Sequence, residues 1–139
     1  MKQTFYELNI NTNSQNLYEL TPEILNWIEK NNFTNGILNL SIMHTSASLI
    51  IQENADPDVK TDLLNYFNKL VPMNEKDYIH STEGKDDMPA HIKSSITNNQ
   101  ISLSIKEKKL LLGTWQGIFL FEHRIHPQQR TVVLHYLGD

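Results

Sequence analysis

The run His44–Pro57 constrains this chain more than any other segment, because an apolar centre is flanked by a dense set of polar residues. The centre, Ala47–Gln52, has the length of one buried strand, and the polar residues around it are typical of a strand that ends in a polar pocket. Asp56 and Pro57 then supply an N-cap and a first-turn proline, so a helix is predicted to begin there.

Turn residues separate the remaining apolar-patterned segments into short elements. Successive strands lie close together in sequence, which favours antiparallel pairing. The predicted fold class is α+β, with a mostly antiparallel β-sheet packed against two or three helices in a single compact domain over residues 1–139. The predicted strands are Thr4–Ile10, Leu17–Leu20, Gly36–His44, Ala47–Gln52, Gln100–Lys106, Lys109–Gly113, Gly117–Arg124 and Arg130–Leu137.

Two further helices are predicted from their first residues. The hydroxyl of Thr21, followed by a proline and a glutamate, is typical of an N-cap. Another helix is predicted to open at Asp87 or Met88, with Asp86 or Asp87 as its cap and His91 in its first turn.

Composition excludes several kinds of site and partner. The chain has no cysteine, so any metal would be bound by His, Asp, Glu or backbone oxygen. A net charge of −4 with scattered basic residues argues against a nucleic-acid partner. No apolar run approaches the ~20 residues of a membrane span, and the N-terminus lacks a signal-peptide pattern. We therefore expect a cytoplasmic protein without a membrane partner.

Three of the six histidines lie in segments rich in other polar groups: His44 at a strand end, His80 in a long loop and His91 near a helix start. Three neutral imidazoles can hold a divalent ion, zinc or another, and leave a position open for water or substrate. The three lack the short spacing of His-x-x-x-His motifs, so the alternative for each is a hydrogen-bonded structural residue.

Glu53 and Asp87 are the candidate catalytic carboxylates. Glu53 directly follows the apolar strand and has no evident structural role, which favours general acid–base chemistry. Asp87 would bind a divalent cation or cap the next helix. Asn54, beside Glu53, is a candidate substrate contact, and a hydrogen bond within the turn is its alternative.

Trp115, Gln116 and Arg124 are the other candidate substrate-binding residues. Trp115 lies between two glycines, where it would stack on a heteroaromatic ring while Gln116 reads the ring edge. The alternative is a β-bulge with Trp115 as a core or interface residue. Arg124 can bind a phosphate or carboxylate in a bidentate way, or pair with Glu122 or a nearby acid.

Several longer motifs follow one another in order along the chain: His44–Ser48, Gln52–Pro57, Leu70–Pro72, Tyr78-x-His80, Glu83–Lys93 and Leu112–Gly117. Over about Gly36 to Gly138 they resemble the motifs of the YjbQ family. Gln52 departs from the family pattern, since an asparagine is more usual there, and two loops contain less glycine than the family does.

The resemblance implies a compact α+β domain that assembles as a homotrimer, with polar pockets near the subunit contacts. It also implies a weak, secondary thiamine-phosphate synthase activity, which joins hydroxymethylpyrimidine diphosphate to a thiazole phosphate and releases diphosphate. The histidines that match the family pattern, and that would bind a metal, are His44, His80 and His91.

Three functions fit these residues, and the expected partner is a small, phosphorylated substrate. The first is this transferase, with a divalent ion or Arg124 stabilising diphosphate, Trp115 on the pyrimidine, and Glu53 or a histidine moving protons. The second is a metal-dependent hydrolase with Glu53 as base. The third is a non-catalytic trimer that binds a metal or metabolite.

Overall fold

The computed structural model describes residues 1–139, except for the side chain of Glu75. The described chain forms eight strands, three α-helices and a short 3-10 turn at Glu75–Asp77. None of these helices has the length and apolar character needed to cross a membrane. The elements are β1 Lys2–Thr12, β2 Asn16–Glu19, α1 Thr21–Lys30, β3 Gly36–Ile42, β4 Ala47–Glu53, α2 Pro57–Leu70, α3 Asp87–Ile96, β5 Gln100–Lys106, β6 Lys109–Leu110, β7 Gln116–Glu122 and β8 Gln128–Gly138.

The strands form two antiparallel sheets. One has the order β1-β8-β3-β5-β6 and the other the order β2-β7-β4. This confirms the predicted α+β class with mostly antiparallel pairing. Four strands end earlier than predicted: β2 stops at Glu19, β3 at Ile42, β6 at Leu110 and β7 at Glu122. His44 and Arg124 therefore lie just beyond strand ends, where a side chain is free of the sheet's alternation.

The main hydrophobic core takes residues from both sheets and from α1. Alternation along β3 sends Leu38 and Leu40 inward and leaves Ile37 exposed, as a half-buried strand requires. Tyr136 of β8 is fully buried and stacks on Phe33, with ring centroids 3.7 Å apart. The two sheets and α1 are thereby held as one packed body.

Thr21 does not cap α1 as predicted. Leu20 is the N-cap residue and makes no side-chain capping bond. The Thr21 hydroxyl accepts a hydrogen bond from the backbone N–H of Ile118, at 2.9 Å. Because the hydroxyl is buried against β7, it ties the helix to the second sheet.

Asp56 caps α2 as predicted, by accepting the Asp58 backbone N–H at 2.9 Å. The helix packs Leu64 and Phe67 against a small apolar cluster in the second sheet. We expect Asp56→Ala to lower the free energy of unfolding by about 1 kcal/mol, because one helix N–H loses its partner. Urea unfolding would measure this. Asp62→Ala, on an exposed position of the same helix, is the matched control, and an equal loss in both variants would contradict the capping role.

The start of α3 corrects two predictions. Neither Asp86 nor Asp87 caps the helix with its side chain, because both carboxylates are bound by Arg124. His91 lies in the second turn rather than the first. It is four residues after Asp87, so the two side chains share one face of the helix.

Candidate functional site

His80, Asp87 and His91 converge at the first turns of α3 and are called here the histidine–aspartate cluster. One ligand atom from each lies within 4.8 Å of the others. The Asp87 Oδ2 atom is 2.6 Å from His80 Nε2 and 3.4 Å from His91 Nε2. Asp87 and His91 meet because they are one helical turn apart, and the preceding loop brings in His80.

The tautomer of His91 suits a metal ligand. Its Nδ1–H donates to the backbone carbonyl of Thr45 at 3.1 Å, so in the neutral ring the Nε2 lone pair faces Asp87. Metal-binding histidines characteristically donate their other ring N–H to a carbonyl or carboxylate, which fixes the ring. The donor set of two imidazoles and one carboxylate therefore fits a divalent transition metal.

Arg124 anchors the carboxylates behind the cluster. Its Nη1 donates to Asp87 Oδ1 at 2.7 Å and its Nε donates to Asp86 Oδ2 at 2.9 Å. Its Nη2 donates to the Glu83 carbonyl at 2.9 Å. One oxygen of Asp87 is thus held by the guanidinium, and the other is left facing the two imidazoles.

Both aspartates are held ionised. Burial raises the pKa of Asp87, but the hydrogen bond from His80 and the charge of Arg124 outweigh it, so that pKa lies below its usual range. Burial likewise raises the pKa of Asp86, and hydrogen bonds from the Ile125 N–H and from Arg124 lower it further than burial raises it. Two carboxylates can therefore stay charged in a nearly buried position.

A glycine allows the loop before α3 to approach Asp86. Gly84 has φ +108°, and a Cβ there would lie 2.9 Å from Asp86 Oδ1. Asp86 Oδ2 also accepts the backbone N–H of Ile125 at 2.9 Å. Asp86 thereby joins the loop, α3 and the end of β7, and sets the position of its neighbour Asp87.

His44 lies near the histidine–aspartate cluster but outside it. Its Nε2 accepts the backbone N–H of Thr131 at 2.8 Å, which places the ring proton on Nδ1. Burial and the charge of Arg130 lower the pKa of His44. A cavity of about 210 Å³ joins it to the cluster through His91. The cavity is lined by His44, Thr45, His91, Ser94, Ser95 and Asn99.

A second cavity, of about 360 Å³, opens at His80 and is lined also by Tyr78 and Met88. The exposed carboxylate of Glu83 lies beside His80, with Oε2 3.6 Å from His80 Nε2. A larger and mostly apolar cavity of about 530 Å³ lies between α1 and the β5–β6 hairpin, and no residue of the cluster lines it. The cluster thus lines two of these three cavities: the one beside His44, through His91, and the one at Tyr78 and Met88, through His80.

Four predicted site residues lie at the other end of the second sheet: Glu53, Asn54, Trp115 and Gln116. Glu53 pairs with Gln116, whereas Ala47 pairs with Glu122 at the end next to Arg124. Six residues of strand separate these ends, or about 20 Å. Their predicted roles stay predictions, and within one chain they are not part of the cluster.

Local contacts occupy two of these side chains and leave a third free. Asn54 Nδ2 donates to Glu19 Oε2 at 3.2 Å, and Gln116 Oε1 accepts the Gly113 N–H at 2.7 Å. Trp115 is 63% exposed, so it is not a core residue of this chain. An exposed indole beside a strand start remains available to a ligand or to another subunit.

Sequence reasoning missed the buried polar groups behind α3. Lys93 is 1% exposed and donates to Asn68 Oδ1 at 2.6 Å. His123 is fully buried, with Nε2 2.8 Å from Ser48 Oγ, and burial lowers its pKa to about 3. A lysine on a short helix ordinarily faces solvent, so no pattern in the sequence marked it as buried.

Lys93 makes stability depend on pH. Burial lowers its pKa to about 8, against 10.5 for a free lysine, although the charge of Asp86 raises it. Between these values the unfolded chain binds more protons than the folded one, so the free energy of unfolding rises with pH there. Urea unfolding at about pH 7.5, 8.5 and 9.5 measures this. Lys93→Met should lack the rise, and equal slopes in the two proteins would contradict the assignment.

Comparison with known proteins places these features in a family. A family model described as UPF0047 protein YjbQ-like matches residues 6–139. A UPF0047 protein of Synechocystis is 48% identical over 130 residues, which cover 94% of this chain and 88% of that protein. The UPF0047 protein YjbQ of Escherichia coli O157:H7 is 41% identical over 133 residues, which cover 95% and 96%.

Solved structures share the fold. An uncharacterized conserved protein of the yjbq/upf0047 family from Clostridium acetobutylicum superposes with a TM-score of 0.84 at 33% identity, covering 96% of this chain and 99% of that one. A conserved hypothetical protein from Thermus thermophilus gives 0.85 at 30% identity, covering 95% and 99%.

Proposed function

We propose that this chain, which belongs to the UPF0047 YjbQ-like family, is a divalent-metal enzyme whose ion is held by His80, Asp87 and His91. The observation that carries the proposal is the convergence of the three ligand atoms within 4.8 Å. Two imidazoles and a carboxylate leave further positions for water and substrate, as catalytic sites do. The fixed tautomer of His91 and the anchored carboxylate of Asp87 support it.

A divalent ion in this site would polarise a substrate oxygen or lower the pKa of a water molecule. Glu83 is the residue placed to take a proton, because its carboxylate is exposed and lies 3.6 Å from His80 Nε2. Arg124 acts through Asp87, which it holds in place. These roles favour hydrolysis of a small substrate, with Glu83 rather than Glu53 as base.

Thiamine-phosphate synthase is the second candidate. In its favour, the cluster touches two separate cavities, at His91 and at His80, as a reaction of two substrates requires. Against it, Arg124 already uses three of its five N–H donors on its own chain, and its charge is matched by Asp86 and Asp87, so it offers little net attraction for diphosphate. In this candidate an ion bound by the cluster would have to stabilise the leaving group.

A homotrimer is also proposed, as the family resemblance implies. Its support is a set of exposed apolar side chains on the outer face of the first sheet: Phe5 at 63%, Ile37 at 53% and Leu137 at 37%. Light scattering on the purified protein would test it. A monomer at micromolar concentration would contradict it.

Metal analysis tests the metal site. We expect about one equivalent of metal in the tag-free protein, and binding at least tenfold weaker in His80→Ala and His91→Ala, because each loses a ligand. His126→Ala, an exposed histidine outside the cluster, is the matched control. His44→Ala should keep its metal, because His44 lies outside the cluster. Parent protein that binds no zinc, manganese or nickel would refute the site.

Turnover separates the two candidate reactions. Metal-loaded protein should hydrolyse members of a phosphate-ester and acyl-ester panel faster than chelator-treated protein, and Glu83→Gln should lose this rate while keeping its metal. Formation of thiamine phosphate from the two phosphorylated substrates, without ester hydrolysis, would instead select the transferase. Equal ester hydrolysis with and without metal would exclude the hydrolase.

A further inference from the structure

The lining of the cavity beside His91 indicates which chemical groups a bound substrate would carry there. It holds about 210 Å³, which is enough for a group of a few carbons, and it lies below the usual range for drug-sized ligands. Its lining side chains are hydroxyl, amide and imidazole groups, with no lysine, arginine or carboxylate among them. They are His44, Thr45, His91, Ser94, Ser95 and Asn99.

His44 is a fixed hydrogen-bond donor in this cavity. Its Nε2 is occupied by the backbone N–H of Thr131 at 2.8 Å. A ring nitrogen that accepts a hydrogen bond cannot carry the proton, so the proton is on Nδ1 and that nitrogen is left for a ligand. Such a donor requires an acceptor oxygen on the bound group.

The two serines present acceptors. The Ser94 hydroxyl donates to the Ala47 carbonyl at 3.1 Å, and the Ser95 hydroxyl donates to the Ile92 carbonyl at 2.7 Å. A hydroxyl has one proton, so each oxygen can then only accept from a ligand. A carboxylate has no proton to give them at neutral pH. Inorganic phosphate keeps one or two protons, but it would place its negative charge against two oxygen lone pairs without a cation from the lining.

We propose that this cavity is the subsite for an uncharged, hydroxyl-bearing part of the substrate, such as a polyol or sugar group. Each ligand hydroxyl can accept from His44 and donate to Ser94 or Ser95, which matches the donors and acceptors of the lining. His91 links the subsite to the histidine–aspartate cluster. The inference deepens the proposed function and rests on it for the reacting end of the molecule.

Calorimetric titration of erythritol, ribose and inorganic phosphate into the zinc-loaded protein tests the subsite. We expect erythritol and ribose to bind in the cavity, and phosphate to bind at the zinc ion without depending on Ser95 or Asn99. Ser95→Ala and Asn99→Ala should weaken polyol binding roughly three- to tenfold, the effect of one lost hydrogen bond. Both positions are exposed, so these variants should fold, and Ser104→Ala on the outer face of β5 is the matched control.

Two outcomes would overturn the subsite: phosphate binding that Ser95→Ala and Asn99→Ala weaken as much as they weaken erythritol and ribose binding, or Ser95→Ala and Asn99→Ala both binding erythritol and ribose as the parent does. Zinc content measured on the same samples keeps the two proposals apart. If the parent bound no metal, the metal site would fail, and titration of the metal-free protein would test the subsite alone. If the metal-free protein binds erythritol or ribose and Ser95→Ala weakens that binding, the subsite is supported. If the metal-free protein binds neither, the subsite is refuted.

Discussion

Asp87→Asn is expected to abolish stoichiometric metal binding without unfolding the chain. The Oδ2 atom of Asp87 faces both His80 and His91, so it is the central one of the three ligand atoms. Loss of an outer partner costs roughly 10- to 100-fold in metal affinity, and loss of this charged ligand should cost more than about 100-fold. Asparagine keeps the shape of the side chain and can still accept from Arg124, so the helix start should persist.

Chelator competition with zinc measures the affinity, and urea unfolding checks the fold. Asp62→Asn, an exposed aspartate of α2, is the matched control and should bind zinc as the parent does. Arg124→Lys should fall between the two, because lysine retains the charge and cannot reproduce the forked contacts with both aspartates. Unchanged zinc affinity in Asp87→Asn would mean that the cluster does not hold the ion.

Glu122→Ala is expected to lower the free energy of unfolding by about 3–5 kcal/mol. Glu122 is fully buried and Arg130 is 5% exposed. The two side chains form a bidentate pair, with contacts of 2.6 Å and 2.8 Å, and the Thr12 hydroxyl donates to the same carboxylate at 2.6 Å. Removal of the carboxylate leaves the guanidinium charge buried without its partner, at a point where β1, β7 and β8 meet.

Urea unfolding of the parent and the variant measures the loss. Glu29→Ala, on the exposed face of α1, should change stability by no more than about 0.5 kcal/mol. A double variant with Arg130→Met should recover part of the loss, since no unpaired charge would remain. A loss below about 1 kcal/mol in Glu122→Ala would show that Arg130 reaches water after the change.

Local patterns in the sequence predicted much of the fold. Apolar patterning between turn residues predicted a strand over Gly36–His44, where β3 is found, and Asp56 before Pro57 predicted the capped start of α2. Such signals act over a few residues, so they can be read along the chain. Thr21 misled the same reasoning, because Ile118, distant in sequence, competes for its hydroxyl.

The candidate site was only partly predictable. His80, Asp87 and His91 were each named from polar segments, and Arg124 was expected to pair with a carboxylate or phosphate. Two of the histidines group with Asp87, whereas His44 lies apart from them. Both facts depend on how the strand ends and the first turns of α3 are arranged in space. The spacing of these residues along the chain does not predict the distances between them.

The sequence by itself determined the α+β class, the family, and which segments are polar enough to carry a site. Only the tertiary structure decided that Arg124 holds Asp86 and Asp87, and that Glu53 and Trp115 stand at the far end of the second sheet. The reason is that alternation and capping act between neighbours in sequence. The antiparallel register of β4 and β7 instead decides which strand ends share one edge of the molecule.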